Sequence, residues 1–217
     1  MEDPADNLTD LGSRELNARL ASREPIPGGG SASALAGAMG ASLVAMVAEL
    51  TIPRAGSPEV EAQLADMRDR AVDLQRELLD LAEEDARAYA AVVSARRLPR
   101  DSEHDRQARA EVMRRAMVGA ADAPLRTARV ATAVLRLARD IAPTGNPNAV
   151  SDAGVAGELA AAAVHGAILN VRINLPYLAE DDPLRAAAPA ELDLLSAQAD
   201  DLAREISAAV AARMEPS

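Results

Sequence analysis

The sequence predicts an all-α fold: a single-domain bundle of long helices over residues 1–217, with a buried, Ala/Gly-rich central helix. Its hydrophobic fraction is an ordinary 49%, but aromatic residues make up 1% and Phe, Trp and Cys are absent. Alanine, leucine, glutamate and arginine favour helices, whereas the β-branched and aromatic residues typical of strands are scarce. Apolar residues also recur every three to four positions, which is the spacing of one helix face.

A segment rich in proline and glycine separates the first two predicted helices. The first runs from about Leu8 to Ser22 and ends before Pro25. Ser31 is a good N-cap for a second helix that reaches about Ile52. Residues 31–48 carry no charge. Because this stretch is rich in Ala, Gly and Ser rather than Leu, Ile and Phe, we expect a helix buried on all sides and not a membrane span.

A third, long helix is predicted from an N-cap at Ser57 to about Arg97. Proline at the first helical position and an acid in the first turn are typical of a helix start. The apolar positions of this helix follow a seven-residue repeat, typical of a helix-packing seam. They are Val60, Leu64, Met67, Ala71, Leu74, Leu78, Leu81, Ala88 and Val92.

The second half of the chain predicts three further helices. One begins near Ser102, is interrupted at Pro124 and resumes to about Ile141, and residues 143–148 form a loop. Ser151 then caps a second long apolar helix that ends near Leu175. The last helix is expected from about Pro189 to Met214.

Charge and composition exclude several classes of function. The net charge is −11 and every basic residue is arginine, so a nucleic-acid partner is not expected, because such partners require a basic surface. Without cysteine the chain has no disulfides or thiolate metal sites, which fits a reducing, cytoplasmic compartment. The acidic, polar start from Met1 to Pro4 predicts no signal peptide.

Asp85 is the most informative single residue. It occupies a position of the third helix where the repeat requires an apolar side chain, and burial of an unpaired carboxylate is costly. Two interpretations are open. Either the helix turns outward there and Asp85 is solvated, or the acid is held inside for a function.

The run Gly28-Gly29-Gly30-Ser31 precedes a helix N-terminus. Glycines allow close approach to the backbone, and free N–H groups with the helix dipole favour an anion such as a ligand carboxylate. The alternative is a flexible turn between two helices. No strand precedes the run, so it is neither a Walker loop nor a dinucleotide-binding fingerprint.

Polar residues also mark both ends of the second apolar helix. Asn146 and Asp152 stand at its start, where they could simply make the turn and cap the helix. Asn170 and Asn174 share one face at its other end, whereas Arg172 points elsewhere. With no cluster of metal ligands and no nucleophile–His pair, these residues suggest metal-free proton transfer on a polar small molecule.

The same segments resemble the folate cyclodeaminase/cyclohydrolase family, which includes the C-terminal domain of formiminotransferase-cyclodeaminase and free-standing methenyltetrahydrofolate cyclohydrolases. The resemblance covers roughly residues 10–178. It rests on Pro27-Gly28-Gly29-Gly30-Ser31, on Asp85-Ala86-Arg87-Ala88-Tyr89, on Gly145-Asn146, on Val150-Ser151-Asp152-Ala153-Gly154 and on Asn170-Val171-Arg172-Ile173-Asn174.

The resemblance implies an all-helical homodimer that acts on the one-carbon unit bridging N5 and N10 of tetrahydrofolate, with no cofactor beyond that substrate and no metal. Asp85 would move a proton, either as N10 attacks a formimino carbon and ammonia leaves, or as water opens a methenyl bridge. Gly28, Gly29, Gly30, Ser31, Asn146 and Asp152 would line the folate site, together with Asn170 and Asn174. The sequence does not separate deaminase from hydrolase.

One segment departs from the family pattern. Members commonly carry a Lys-rich stretch after the first long apolar helix, and here that place reads Pro53-Arg54-Ala55-Gly56-Ser57. Arg54 is the cation left there to meet an anionic glutamate tail. This departure favours an alternative, a catalytically inactive helical homodimer that serves as a binding or scaffold protein, whereas the retained Asp85 favours the enzyme.

Overall fold

The computed structural model describes residues 7–215, so Met1 to Pro4 lie outside the described residues. Within that range the chain forms α-helices and short 3-10 turns and contains no strand, which confirms the all-α prediction. The six α-helices are Ser13–Leu20 (α1), Gly29–Thr51 (α2), Pro58–Arg96 (α3), Glu103–Ile141 (α4), Val150–Asn174 (α5) and Pro183–Met214 (α6).

Helix α2 is the centre of the bundle, and α3, α4 and α5 pack around it, while α6 packs on α4 and α5. Small residues permit the close packing of α2 with α5. A Cβ atom added at Gly40 would lie 2.9 Å from the backbone oxygen of Ala156, so a larger residue there would force the two helices apart. The core is built largely of alanine, valine and leucine from these five helices.

One face of α2 is not covered, so the prediction of a helix buried on all sides is wrong. Met39 is 56% exposed and Leu50 is 46% exposed, because the three neighbouring helices leave the fourth side of α2 open. The segments Gly29–Arg54 and Pro147–Tyr177 are long and apolar enough to cross a membrane, judged by length and composition alone. Helices in the core of a folded bundle share these properties, and half of the most apolar window of each segment is buried here.

Two predicted N-caps lie inside their helices. Helix α2 begins at Gly29, so Ser31 belongs to its first turn and its hydroxyl is free for another contact. Helix α5 begins at Val150 after a short 3-10 turn, which places Ser151 in the helix as well. Ser57 does cap α3 and accepts a hydrogen bond from the backbone of Val60, as predicted.

The predicted interruption at Pro124 does not occur, because α4 continues through this residue. A proline has no N–H, so the carbonyl of Ala120 loses its usual helical partner. The side-chain amide of Asn174 donates to that carbonyl at 2.8 Å and replaces the missing bond. Helix α6 likewise begins at Pro183 and includes Pro189, six residues earlier than the sequence indicates.

Candidate active site

A cavity of about 370 Å³ opens where the N-terminus of α2 meets α3, α4 and the C-terminal end of α5. The glycine run, Asp85, Asn170 and Asn174 all line it, although they are far apart in the sequence. They meet because α2 and α5 are antiparallel: Gly29 lies beside Asn170, and Gly40 lies beside Ala156. The sequence therefore identified residues from three elements that the fold brings together.

Asp85 is partly buried and sits directly over the first turn of α2. A Cβ atom added at Gly30 would overlap the Asp85 carboxyl group. Glycine at position 30 is thus required by the close approach of this acid and not by an unusual backbone angle, since Gly30 has no positive φ. The structure decides between the two interpretations of Asp85: the carboxyl group faces a cavity inside the bundle.

Ser31 is fully buried, so it holds Asp85 rather than lining the cavity. Its hydroxyl oxygen lies 3.0 Å from Oδ2 of Asp85 and 3.0 Å from the carbonyl oxygen of Ala82. A hydroxyl has one proton to donate and can also accept. When Asp85 is ionised, Ser31 donates to it; when Asp85 is protonated, the acid can donate to Ser31, which then donates to Ala82. Both protonation states of the acid are therefore satisfied.

Burial raises the pKa of Asp85 above its ordinary value, because a charged carboxylate is less well solvated inside the bundle. Hydrogen bonds from the side chain and the backbone of Ser31 act in the opposite direction, since they stabilise the charged form. The backbone bond also means that an N–H at the start of α2, predicted to hold a ligand anion, is directed at Asp85 itself. The net effect is a carboxyl group prepared to exchange a proton.

Asn170 and Asn174 present amide oxygens to the cavity. Nδ2 of Asn170 donates to the Gly166 carbonyl at 2.8 Å, and Nδ2 of Asn174 donates to the carbonyls of Ala120 and Asn170. Each Oδ1 atom has no protein donor within residues 7–215. Since both side chains line the cavity, two hydrogen-bond acceptors remain for the N–H groups of a ligand.

Several cavity residues were not singled out as a site by the sequence. Tyr89, Val92 and Arg96 continue from Asp85 along one face of α3, and Ile173 and Tyr177 form part of the opposite wall. The first three follow Asp85 at spacings of four, seven and eleven residues, which is the signal that could have identified them. Arg172, by contrast, points away as predicted and pairs with Asp193.

Asn146 and Asp152 lie at the other end of α2 and α5. Asn146 is buried and cross-linked to α2: its backbone N–H donates to Thr51, its Nδ2 donates to the Leu50 carbonyl, and its Oδ1 accepts from Arg54. Ser31 and Thr51 are separated by about 30 Å along the helix. Within one chain, therefore, these residues and Arg54 do not reach a ligand at Asp85.

The cavity is thus lined by a partly buried acid whose pKa is raised, by two amide oxygens that can accept hydrogen bonds, by a run of glycines, and by aromatic and aliphatic side chains. In residues 7–215, no group of three or more His, Cys, Asp and Glu side chains is placed to hold a metal ion. These residues are suited to proton transfer on a polar, ring-containing molecule.

The chain is similar in sequence to several known proteins. The sequence model of the formiminotransferase-cyclodeaminase family matches residues 13–193. Methenyltetrahydrofolate cyclohydrolase from Methylorubrum extorquens is 41% identical over 187 residues, which cover 86% of this chain and 89% of that protein. Formimidoyltransferase-cyclodeaminase from Mus musculus is 30% identical over 178 residues, and the match covers 82% of this chain but 33% of that longer protein.

A solved structure has the same fold. The crystal structure of formiminotetrahydrofolate cyclodeaminase from Thermotoga maritima superposes with a TM-score of 0.82 and 27% sequence identity. The superposition covers 94% of this chain and 98% of that one, so the six-helix arrangement is shared along nearly its whole length.

Proposed function

This chain belongs to the formiminotransferase-cyclodeaminase family, and from that premise we propose that it is a methenyltetrahydrofolate cyclohydrolase. It is a folate one-carbon enzyme that acts at the N5/N10 bridge of tetrahydrofolate. The hydrolase is favoured over the deaminase because the cyclohydrolase from Methylorubrum extorquens shares 41% of its residues over 89% of its length. The identity to the mouse cyclodeaminase is lower, at 30%.

The observation that carries the proposal is the placement of Asp85 in the cavity, with a hydrogen-bonded hydroxyl behind it. In the hydrolase reaction, its carboxylate accepts a proton from water as the water oxygen attacks the carbon of the methenyl bridge. Asp85 returns this proton to N5 as the bond between that carbon and N5 breaks. The remaining hydroxyl proton leaves to solvent as the carbonyl of the N10-formyl product forms.

The other cavity residues bind and orient the substrate. The methenyl bridge carries a positive charge, which the Asp85 carboxylate stabilises. The amide oxygens of Asn170 and Asn174 accept hydrogen bonds from N–H groups of the pterin ring, and Gly28, Gly29 and Gly30 let that ring lie close to the backbone. The same acid serves a deaminase, in which N10 attacks a formimino carbon and ammonia takes the proton. The choice between the two reactions therefore rests on the identity values.

The test is to follow the absorbance of methenyltetrahydrofolate with the purified protein. We expect the absorbance to fall faster than in buffer when 5,10-methenyltetrahydrofolate is the substrate. With 5-formiminotetrahydrofolate we expect little methenyl product and little ammonia. Faster conversion of the formimino substrate would identify a cyclodeaminase instead. No activity on either compound, with tight binding of both, would support the alternative of an inactive binding protein.

The reaction needs no resident metal or further cofactor, because Asp85 supplies the proton transfer and the substrate carries its own electrophilic carbon. Dialysis against EDTA should therefore leave the rate unchanged. A loss of rate that Zn²⁺ or Mg²⁺ restores would contradict this proposal. Localisation in the cytoplasm is supported by the absence of cysteine from the chain.

We also propose a homodimer that forms through the open face of α2. This face consists of six uncharged residues at helical spacing: Ala32, Ala36, Met39, Leu43, Met46 and Leu50. An uncharged face can be buried against an identical face without removing charges from water, and twofold dimers are the commonest soluble assemblies. Sedimentation at micromolar concentration should give a dimer, and Met46→Glu should give a monomer. Val112→Glu is a matched control, because Val112 is similarly exposed, at 45%, on α4.

A further inference from the structure

The cavity extends along α3 as a channel with different chemistry at its two ends. Asp85, Tyr89, Val92 and Arg96 line it in that order, at helical spacings of four, three and four residues. Such spacing places all four side chains on one face of the helix. The eleven residues from Asp85 to Arg96 span about 16 Å along the axis. An acid thus stands at the inner end, an aromatic ring and an aliphatic side chain in the middle, and a cation at the outer end.

Arg96 has no ion-pair or hydrogen-bond partner among residues 7–215, and it is the one cation among the residues that line the cavity. Several other arginines of the bundle are paired: Arg68 contacts Glu49 and Asp69, and Arg126 contacts Glu84. In a chain with 34 acidic and 23 basic residues, an unpaired guanidinium beside a cavity is available to an anionic ligand group. A planar guanidinium is also well suited to bidentate contact with a carboxylate.

We infer that Arg96 binds a carboxylate of the glutamate arm of the folate substrate, while Tyr89 and Val92 contact the benzoyl ring between that arm and the reacting bridge. This inference rests on the proposed function, since it assigns a position to the rest of the same substrate. When the one-carbon bridge lies at Asp85, the arm follows α3 outward and its carboxylates emerge beside Arg96.

The position of Arg54 supports the assignment to Arg96. Arg54 is another cation that could meet the glutamate arm, but it lies beyond the opposite end of α2 and donates to Asn146 at 2.7 Å. Arg54 is therefore already hydrogen-bonded and, within one chain, lies roughly 30 Å from the cavity, which is too far to meet this ligand. Arg96 supplies a positive charge at the cavity itself.

The test compares two substrates in wild type and Arg96→Gln: 5,10-methenyltetrahydrofolate, and 5,10-methenyltetrahydropteroate, which lacks the glutamate. For the glutamyl substrate we expect KM to rise about 3- to 10-fold in the variant, the range for a charge-assisted hydrogen bond weakened by exposure to water. The value of kcat should remain within about twofold, because Arg96 lies far from the reacting atoms. For the pteroyl substrate both constants should be unchanged.

Three further variants make the test specific. Arg97→Gln removes the same charge from the adjacent position, which does not line the cavity, and should leave the ratio of kcat/KM for the two substrates unchanged. Arg96→Lys keeps the charge without the planar fork and should restore part of the preference for the glutamyl substrate. Arg54→Gln should leave the preference unchanged as well.

The inference is overturned if Arg96→Gln keeps the wild-type preference for the glutamyl substrate, or if Arg54→Gln is the variant that abolishes this preference. Thermal unfolding of each variant shows that a change in KM does not reflect a loss of folded protein. A wild-type protein that converts neither substrate contradicts the proposed function instead, so the two failures are distinguishable.

Discussion

The two ends of the α2–α5 pair differ in how their polar groups are satisfied. At the end with Gly29 and Asn170, a cavity opens and the amide oxygens of Asn170 and Asn174 have no protein donor within residues 7–215. At the end with Thr51, Asn146 is buried and uses both its backbone N–H and its side-chain amide in hydrogen bonds to α2.

The hydrogen bonds distinguish a candidate site at one end from a structural cross-link at the other, although the sequence has the same residue types at both ends. Asparagine is polar in either place, but its role depends on whether its hydrogen-bonding groups are already used by the protein. Unused groups beside open space are available to a ligand. Groups that are fully used connect elements of the fold, and here they tie the loop before α5 to the end of α2.

The largest effect is expected for Asp85→Asn, which keeps the shape of the side chain but cannot carry a proton. The rate of methenyl hydrolysis should fall about 10²- to 10⁴-fold, the usual contribution of a positioned general acid or base. The pKa of Asp85 is raised in the folded protein, so the charged form weakens folding as the pH rises through that pKa. At pH 7 the variant should therefore melt at the same temperature or higher. An unchanged rate would assign Asp85 a structural role.

A second prediction tests the close approach at the same end. Gly30→Ala places a methyl group against the Asp85 carboxyl and must displace it. A shift of about 1 Å at a catalytic group can cost about 10²-fold in rate. Gly28→Ala is the comparison variant: its added Cβ would lie 3.6 Å from the nearest atom, so it can weaken substrate binding in the same loop but does not displace Asp85. If both variants lost the same activity, the loop would matter through its flexibility and not through contact with Asp85.

A smaller effect is expected for Ser31→Ala, which removes the hydroxyl behind the acid. We expect the rate at pH 7 to fall roughly 10-fold, because one hydrogen bond to a charged group is lost. The Ser31 side chain lowers the pKa of Asp85, so its removal should move the acidic limb of the pH–rate profile to higher pH. Ser33→Ala is the control, since that hydroxyl bonds to the Gly29 carbonyl. A shift toward lower pH would contradict the assigned hydrogen bond.

The smallest effect on activity is expected at the opposite end. Asn146→Ala should lower the free energy of unfolding by about 1–3 kcal/mol, because buried partners on α2 lose their hydrogen bonds. The kcat of the folded variant should stay within about twofold of wild type. Chemical denaturation and initial rates measured on the same samples decide the question. A large rise in KM without loss of stability would instead support the substrate-binding role that family resemblance gives to Asn146 and Asp152.

The sequence by itself determined the fold class, most helix boundaries and the acid that lines the cavity. Helix propensity and apolar spacing are local properties, so α3 was predicted from its N-cap at Ser57 to within one residue of its end at Arg96. Asp85 was found because a carboxylate in an apolar repeat requires an explanation. The extent of the single domain, residues 1–217, stays a prediction.

Only the tertiary structure decided which polar residues meet and whether their hydrogen bonds are already made. Pro124 continues α4 because Asn174, fifty residues away, satisfies the carbonyl it leaves free. Asn146 and Asp152 separate from Asp85 because one straight helix holds the two ends apart. Arg96 belongs to the cavity because α3 and α5 leave its face open. Each of these outcomes depends on contacts between distant parts of the chain, which a local pattern does not encode.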